Sequence, residues 1–135
     1  MGRIKFLFDT HVILWALLGD KRLSDEIKGI MYNPMNDIYY SVISMWETQI
    51  KCDRKKLNVS GVEFMHHCEQ AGYKKLPLED LHVAELVNLQ RDEKAPPHND
   101  PFDRILLSQA KAEGFYFVTH DPMFRGYNEN CVIEV

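Results

Sequence analysis

Apolar positions along this chain fall in short runs separated by stretches of helical spacing. Residues 4–8, Ile-Lys-Phe-Leu-Phe, form a compact, mostly apolar run that suits a buried strand. From Thr10 to Leu18 a dense apolar set (Val12, Ile13, Leu14, Trp15, Leu17, Leu18) predicts a strongly buried helix. Ser24 reads as the N-cap of a second helix through Ile27, Ile30 and Met31, with Asp25 and Glu26 in its first turn and Asn33-Pro34 ending it. A second strand, Asp37–Ser41, runs directly into a helix from Val42 to Lys51, with Ile43, Trp46 and Ile50 as its stripe. Another helix is expected over Val62–Gln70, closed by Gly72, then a short strand near Lys75–Leu78 and a helix through Leu81, Ala84, Leu86, Val87 and Leu89. A polar, proline-bearing loop from Arg91 to Pro101 leads into a helix over Pro101–Glu113, stopped by Gly114. Phe115–Thr119 and Cys131–Val135 complete the strands.

Strands alternating with helices define an α/β fold whose mainly parallel sheet is covered on both faces. With no repeat, low-complexity tract or linker, the 135 residues are expected to form a single domain, 1–135. A hydrophobic fraction of 45% and a charged fraction of 27% match a globular protein rather than a disordered one. The formal net charge of −4 argues against a polycation that coats nucleic acid, though local patches matter more than the sum. Cys52, Cys68 and Cys131 form no CxxC pair, so neither a disulfide framework nor a zinc knuckle is indicated. Arg3 and Lys5 precede an apolar stretch in the manner of an export signal, but Asp9 and His11 interrupt it and no small-residue cleavage site follows. No stretch is long and apolar enough to span a bilayer, and a cytoplasmic location without membrane contact is expected.

In open α/β sheets, ligands bind beyond the carboxyl ends of the strands. Asp9 directly follows the first strand, and Asp121 lies two residues beyond Thr119. Glu47 falls in the second turn of the helix after the second strand, and Asp103 in the first turn of the Pro101 helix. Each acid also has a structural reading. Asp9 and Asp121 can be helix N-caps, Asp100 caps the Pro101 helix with Asp103 at its third position, and Glu47 can pair with Lys51 one turn on. Four carboxylates meeting at one edge would repel one another and raise at least one pKa, and a divalent cation relieves that repulsion. Oxygen ligands of this kind suit Mg²⁺ or Mn²⁺, whose chemistry at such a site is phosphodiester hydrolysis.

The blocks Phe-Asp-Thr (8–10), Ser-Val-Ile-Ser-Met-Trp-Glu (41–47), His-Asn-Asp-Pro-Phe-Asp-Arg (98–104) and Val-Thr-His-Asp (118–121) resemble a PIN domain, most of all the VapC-like toxins of bacterial toxin–antitoxin pairs. The resemblance runs from residue 6 to about residue 127 and is loose over residues 52–90. It implies a three-layer α/β/α sandwich, with Asp9, Glu47, Asp103 and Asp121 as the acidic, metal-holding quartet. Thr10, Ser41 and Thr119 fall where the family places polar residues around the metal. It further implies an endoribonuclease that hydrolyses single-stranded RNA to 5′-phosphate and 3′-hydroxyl ends, forms a homodimer and is blocked by a small antitoxin.

Basic groups must draw RNA toward an acidic cluster. Arg104 and Lys51 are the candidates, while Lys55 and Lys56 read as solvated surface charge. His98, in the polar loop, reads either as a substrate contact or as a histidine bonded to loop backbone. His66-His67-Cys68 does not read as a metal site, because adjacent helical residues point in different directions. Trp15 and Trp46 read as core or dimer contacts rather than base-stacking platforms. A phosphotransfer receiver would need an acidic pair where Asp9-Thr10 stands, and a haloacid-dehalogenase-type phosphatase would need Asp-x-Asp-x-Thr. The alternative from another class is a catalytically silent PIN-like module that binds RNA or protein.

Overall fold

Helix starts in this chain are set by short polar side chains. Asp9, Ser24, Ser41, Ser60 and Asp100 each accept a hydrogen bond from a backbone N–H in the first turn of the helix that follows. In this computed structural model, which describes residues 2–135, those caps open α1 (Thr10–Leu18), α2 (Asp25–Tyr32), α3 (Val42–Asp53), α4 (Gly61–Gln70) and α6 (Pro101–Glu113). A short α5 (Asp80–Ala84) lies between α4 and α6. The strands are β1 (Ile4–Phe8), β2 (Asn36–Ser41), β3 (Lys74–Leu76), β4 (Tyr116–Thr119) and β5 (Val132–Glu134). They pair in parallel throughout, in the order β3-β2-β1-β4-β5.

Alternation along the strands divides the interior into two cores. Phe6 and Phe8 of β1, Ile38 and Tyr40 of β2 and Val118 of β4 pack with Val12, Ile13 and Trp15 of α1, Ile27 of α2 and Phe64 of α4. Leu7 of β1 and Phe117 of β4 face the other way, onto Ile105, Leu106, Leu107 and Ala110 of α6. Full burial of each large apolar side chain is worth roughly 1.5–3 kcal/mol, so a one-residue slip of β1, which exchanges the two faces, is strongly disfavoured. The expected α/β/α layering is therefore present.

Some boundaries differ from the sequence reading. β3 sits at Lys74–Leu76 rather than near 75–78. The single helix expected over Leu81–Leu89 is broken into α5 and a 3-10 turn, Glu85–Asn88. In a 3-10 turn residues three apart eclipse, which brings Leu86 and Leu89 together against the α6 core while Val87 stays exposed. A further 3-10 segment, Pro122–Tyr127, buries Phe124 and Tyr127 by the same three-residue spacing and had no helical stripe to announce it.

The stripe assigned to α3 also needs correction. Ile43 is buried, but Trp46 is 58% exposed and leans edge-on against Phe102. The inward face of α3 carries Ser44, Glu47 and Thr48 instead. A polar stripe on the buried side of a helix is unfavourable unless those groups have partners.

Candidate metal centre

The strand order reverses between β1 and β4: β2 and β3 extend the sheet on one side of β1, β4 and β5 on the other. A crevice forms at such a switch point, beyond the carboxyl ends of the two strands. Asp9 closes β1 and caps α1, its Oδ1 accepting from the Thr10 N–H at 2.7 Å. Asp121 follows β4 and caps the 3-10 segment, accepting from the Met123 N–H at 2.9 Å. Thr119 joins the two: its hydroxyl donates to Asp9 Oδ2 at 2.7 Å and accepts from the Asp121 N–H at 3.0 Å. Asp100 caps α6 through the N–H groups of Phe102 and Asp103, so Asp103 sits in the first turn with its side chain free of the capping duty. Asp9 and Asp121 each cap the helical segment that follows, and both line the depression at this edge.

The negative charges of Glu47 and Asp121 act on both Asp9 and Asp103. Burial pushes Asp9 up to about 6, partly offset by the Thr119 hydrogen bond and reinforced by the charges of Glu47 and Asp121. Asp103 is pushed up to about 8, first by burial and then by the negative charges of Asp9, Asp100, Glu47 and Asp121. Glu47 is 7% exposed; one oxygen is 3.2 Å from Lys51 Nζ, and Oε1 is buried with no hydrogen-bond partner. Asp103, Asp121 and His98 each bring a ligand atom within 4.8 Å of the others. The arrangement is able to hold a divalent cation.

The remaining candidates fall in different places. Thr10 is fully buried and its hydroxyl donates to Ser44 Oγ at 2.7 Å, fastening α1 to the polar face of α3. Ser41 caps α3 and donates to Gln109 Oε1 at 2.5 Å. Lys51 Nζ lies 3.2 Å from His11 Nε2 as well as from Glu47, at the mouth of the crevice. Arg104 reaches Tyr127 Oη at 3.3 Å rather than open solvent. His98 is only 6% exposed, between Tyr127 and Asp103. Lys55 and Lys56 are exposed. Trp15 lies in the core, with the rings of His120 and the guanidinium of Arg22 against it.

Three participants were missed from sequence: His11, Ser44 and Tyr127. Ser44, Glu47, Thr48 and Lys51 follow the i, i+3, i+4, i+7 spacing of one helical face, and that polar periodicity was a readable signal. His11 had a weaker one, its place in the first turn after Asp9-Thr10. Nothing local marks Tyr127. Beside the acids, Asp9, His11, Trp15, His120, Asp121 and Pro122 line a depression of about 320 Å³.

A parallel sheet with acids and helix N-termini at its switch point defines an α/β protein with a candidate cation site at the carboxyl edge. The family model for the PIN domain matches residues 6–130, and the chain belongs to that family. No curated protein sequence gives a significant match. Among solved structures, the chain is similar to VapBC2 from Rickettsia felis bound to a fragment of promoter DNA, at 15% identity, 98% coverage of each chain and a TM-score of 0.68. It is also similar to DNA-bound VapBC from Salmonella typhimurium, at 15% identity, with 97% of this chain and 98% of that one covered and a TM-score of 0.69. FitAcB from Neisseria gonorrhoeae aligns at 18% identity over 96% of each chain, with a TM-score of 0.59. At these identities the likeness is one of fold.

Proposed function

We propose that this PIN domain is a Mg²⁺- or Mn²⁺-dependent endoribonuclease that hydrolyses single-stranded RNA and acts as the toxin of a toxin–antitoxin pair. The observation that carries the reading is the gathering of Asp9, Glu47, Asp103 and Asp121 at the switch point with Lys51 as the only cation in salt-bridge contact with any of them among the described residues. The donor set fits a hard divalent ion, because Glu47 Oε1 is buried and unpartnered and Asp9 and Asp103 resist ionisation without a compensating charge. A cation held there supplies the positive charge that polarises a phosphoryl oxygen and acidifies water at neutral pH.

The chain's own residues prepare the rest. Thr119 and the Thr10 N–H orient the Asp9 carboxylate. The Thr10–Ser44 bond holds α3, and so Glu47, against α1. Lys51 and His11 place hydrogen-bonding and positive groups at the crevice mouth, where an RNA phosphate needs them. One structure that shares the fold is a toxin–antitoxin complex from Klebsiella pneumoniae, which supports an antitoxin partner; a homodimer in the cytoplasm belongs to the same proposal and rests on the resemblance of the sequence blocks to VapC-like toxins. Among the described residues no helix is long and apolar enough to cross a membrane.

Cleavage of single-stranded RNA with Mg²⁺ or Mn²⁺, with EDTA and Asp103→Asn as controls, tests the proposal. Cutting is expected with metal and lost in both controls. Cutting that persists in both overturns the mechanism, and metal binding without any cutting favours the silent binding module.

A further inference from the structure

His98 and Arg104 are bonded inward, to side chains that end on a carboxylate, and not outward toward a substrate. Arg104 Nη1 donates to Tyr127 Oη at 3.3 Å, Tyr127 Oη lies 2.8 Å from His98 Nδ1, and His98 Nε2 lies 2.9 Å from Asp103 Oδ2. The direction of the bonds follows from chemistry. A guanidinium can only donate, so the tyrosine oxygen accepts from it and its own proton is available to Nδ1. A ring that accepts at Nδ1 carries its proton on Nε2, facing the carboxylate, which accepts. Each donor in such a chain polarises the next.

The surroundings hold this chain of bonds rigid. Tyr127 is 3% exposed, and Phe124 meets the His98 ring edge-on at 5.2 Å. Arg91 lies over the Tyr127 ring at 4.6 Å while donating to the carbonyls of Pro96 and Met123, both at 2.9 Å. The Asp92 N–H donates to the Gly126 carbonyl at 2.8 Å, so the loop bearing His98 is fastened to the segment bearing Tyr127. Gly126 has to be glycine for this contact: a Cβ there would stand 2.6 Å from Arg91 Nη2.

We propose that Arg104, Tyr127 and His98 form a relay that positions Asp103 by holding Oδ2, so that the carboxylate would be oriented for a cation. His98 and Arg104 are then positioning residues and not RNA contacts. The inference rests on the metal-dependent reading of the site.

The test measures Mn²⁺ affinity by calorimetry together with kcat and KM for single-stranded RNA. Tyr127→Phe removes one oxygen and keeps the ring packing, so it reports on the relay without threatening the fold. Tyr127→Phe and His98→Ala are each expected to weaken Mn²⁺ binding about 10–100-fold, the usual cost of losing a group that orients a metal ligand. KM for RNA should stay unchanged, and the double variant should be no worse than His98→Ala alone. His98→Gln, which keeps an N–H donor toward Asp103, should recover most of the affinity. A raised KM with unaltered Mn²⁺ affinity in the His98 variants would make His98 an RNA contact and overturn the relay. So would a wild-type-like Tyr127→Phe beside a His98→Gln as poor as His98→Ala, which would make His98 a direct ligand. If the unaltered chain binds no Mn²⁺, the metal reading falls and the relay with it; if it binds and no substitution changes the affinity, the relay alone falls.

Discussion

The two ends of the sheet treat buried aspartates in opposite ways. At the amino edge, Asp37 near the start of β2 is 6% exposed, almost as covered as Asp9 at 4%. Yet Arg3 reaches it at 2.6 Å and Lys74, the first residue of β3, at 3.3 Å. The Arg3 hydrogen bond holds its carboxyl below the ordinary range. At the carboxyl edge, burial and neighbouring acids push Asp9 and Asp103 up, and Lys51, the one lysine or arginine in salt-bridge contact with any of the four acids among the described residues, is paired with Glu47. Exposed area alone does not separate the two cases: Asp9 lies deeper, and desolvation is the largest cause of its shift, whereas Asp37 sits near the surface with cations against it. Depth of burial and local charge both separate them: cations reach Asp37, while among the described residues none forms a salt bridge with Asp9.

The comparison is broken most directly by removing one acid from each edge. Asp103→Asn should lower RNA cleavage by at least about 100-fold, the scale of losing one preorganised electrostatic group, whereas Asp37→Asn should leave the cleavage rate unchanged. Equal losses from both would mean that the asymmetry has no functional content.

The next effect is on stability against pH without metal. A folded state that binds more protons than the unfolded one loses stability as pH rises. Asp9 shifts from 3.8 to about 6 and Asp103 from 3.8 to about 8, so the Tm in EDTA should fall as pH climbs from about 4 to about 8. The part of the fall above about 6 should disappear in Asp103→Asn, and saturating Mn²⁺ should flatten the whole curve. Asp37 works with the opposite sign: its lowered carboxyl stabilises the fold above its unfolded pKa and stops doing so as pH drops through the folded value. A Tm in EDTA that is flat between those limits would contradict the unpaired state of the acids.

A smaller effect is expected at Thr119. Thr119→Val deletes the hydroxyl bonded to Asp9 and to the Asp121 N–H, and hydrogen bonds to charged groups are worth about 1.5–3 kcal/mol. Urea unfolding at neutral pH should show that loss, shrinking at pH 4 where Asp9 is protonated in any case. Smallest is the effect of Asp37→Asn on Tm, a slight decrease that salt should mask, since its cations are substantially exposed.

Much of this architecture was legible because it depends on local rules. Ser24, Ser41 and Asp100 announce helices, Gly114 ends one in the left-handed conformation, and strand-end placement was enough to single out Asp9 and Asp121. The failures share a different cause. Ser41, which the resemblance places among the polar residues around the site, caps α3 and bonds Gln109, while Ser44 is the hydroxyl that meets Thr10, and only packing against α1 tells the two apart. His98 read as a substrate contact or as bonded to loop backbone, because its side-chain partner Tyr127 stands 29 residues away. Trp46 was read inward on apolar character alone, when the polar face of α3 was the one turned to the interior. The sequence records periodicity well and long-range pairing hardly at all.

The bond from Thr119 to Asp9 spans 110 residues, which bears on how the protein comes into being. On a ribosome adding about 5–20 residues per second, Asp9 is made roughly 5–20 s before its partner. β2 can pair with β1 during that interval, but β4 is not complete until its end. A growing chain therefore carries its acids unassembled beside the messenger being read. Assembly of the acidic edge is one of the last events in making this chain, because Asp121 follows the strand that brings Thr119 to Asp9.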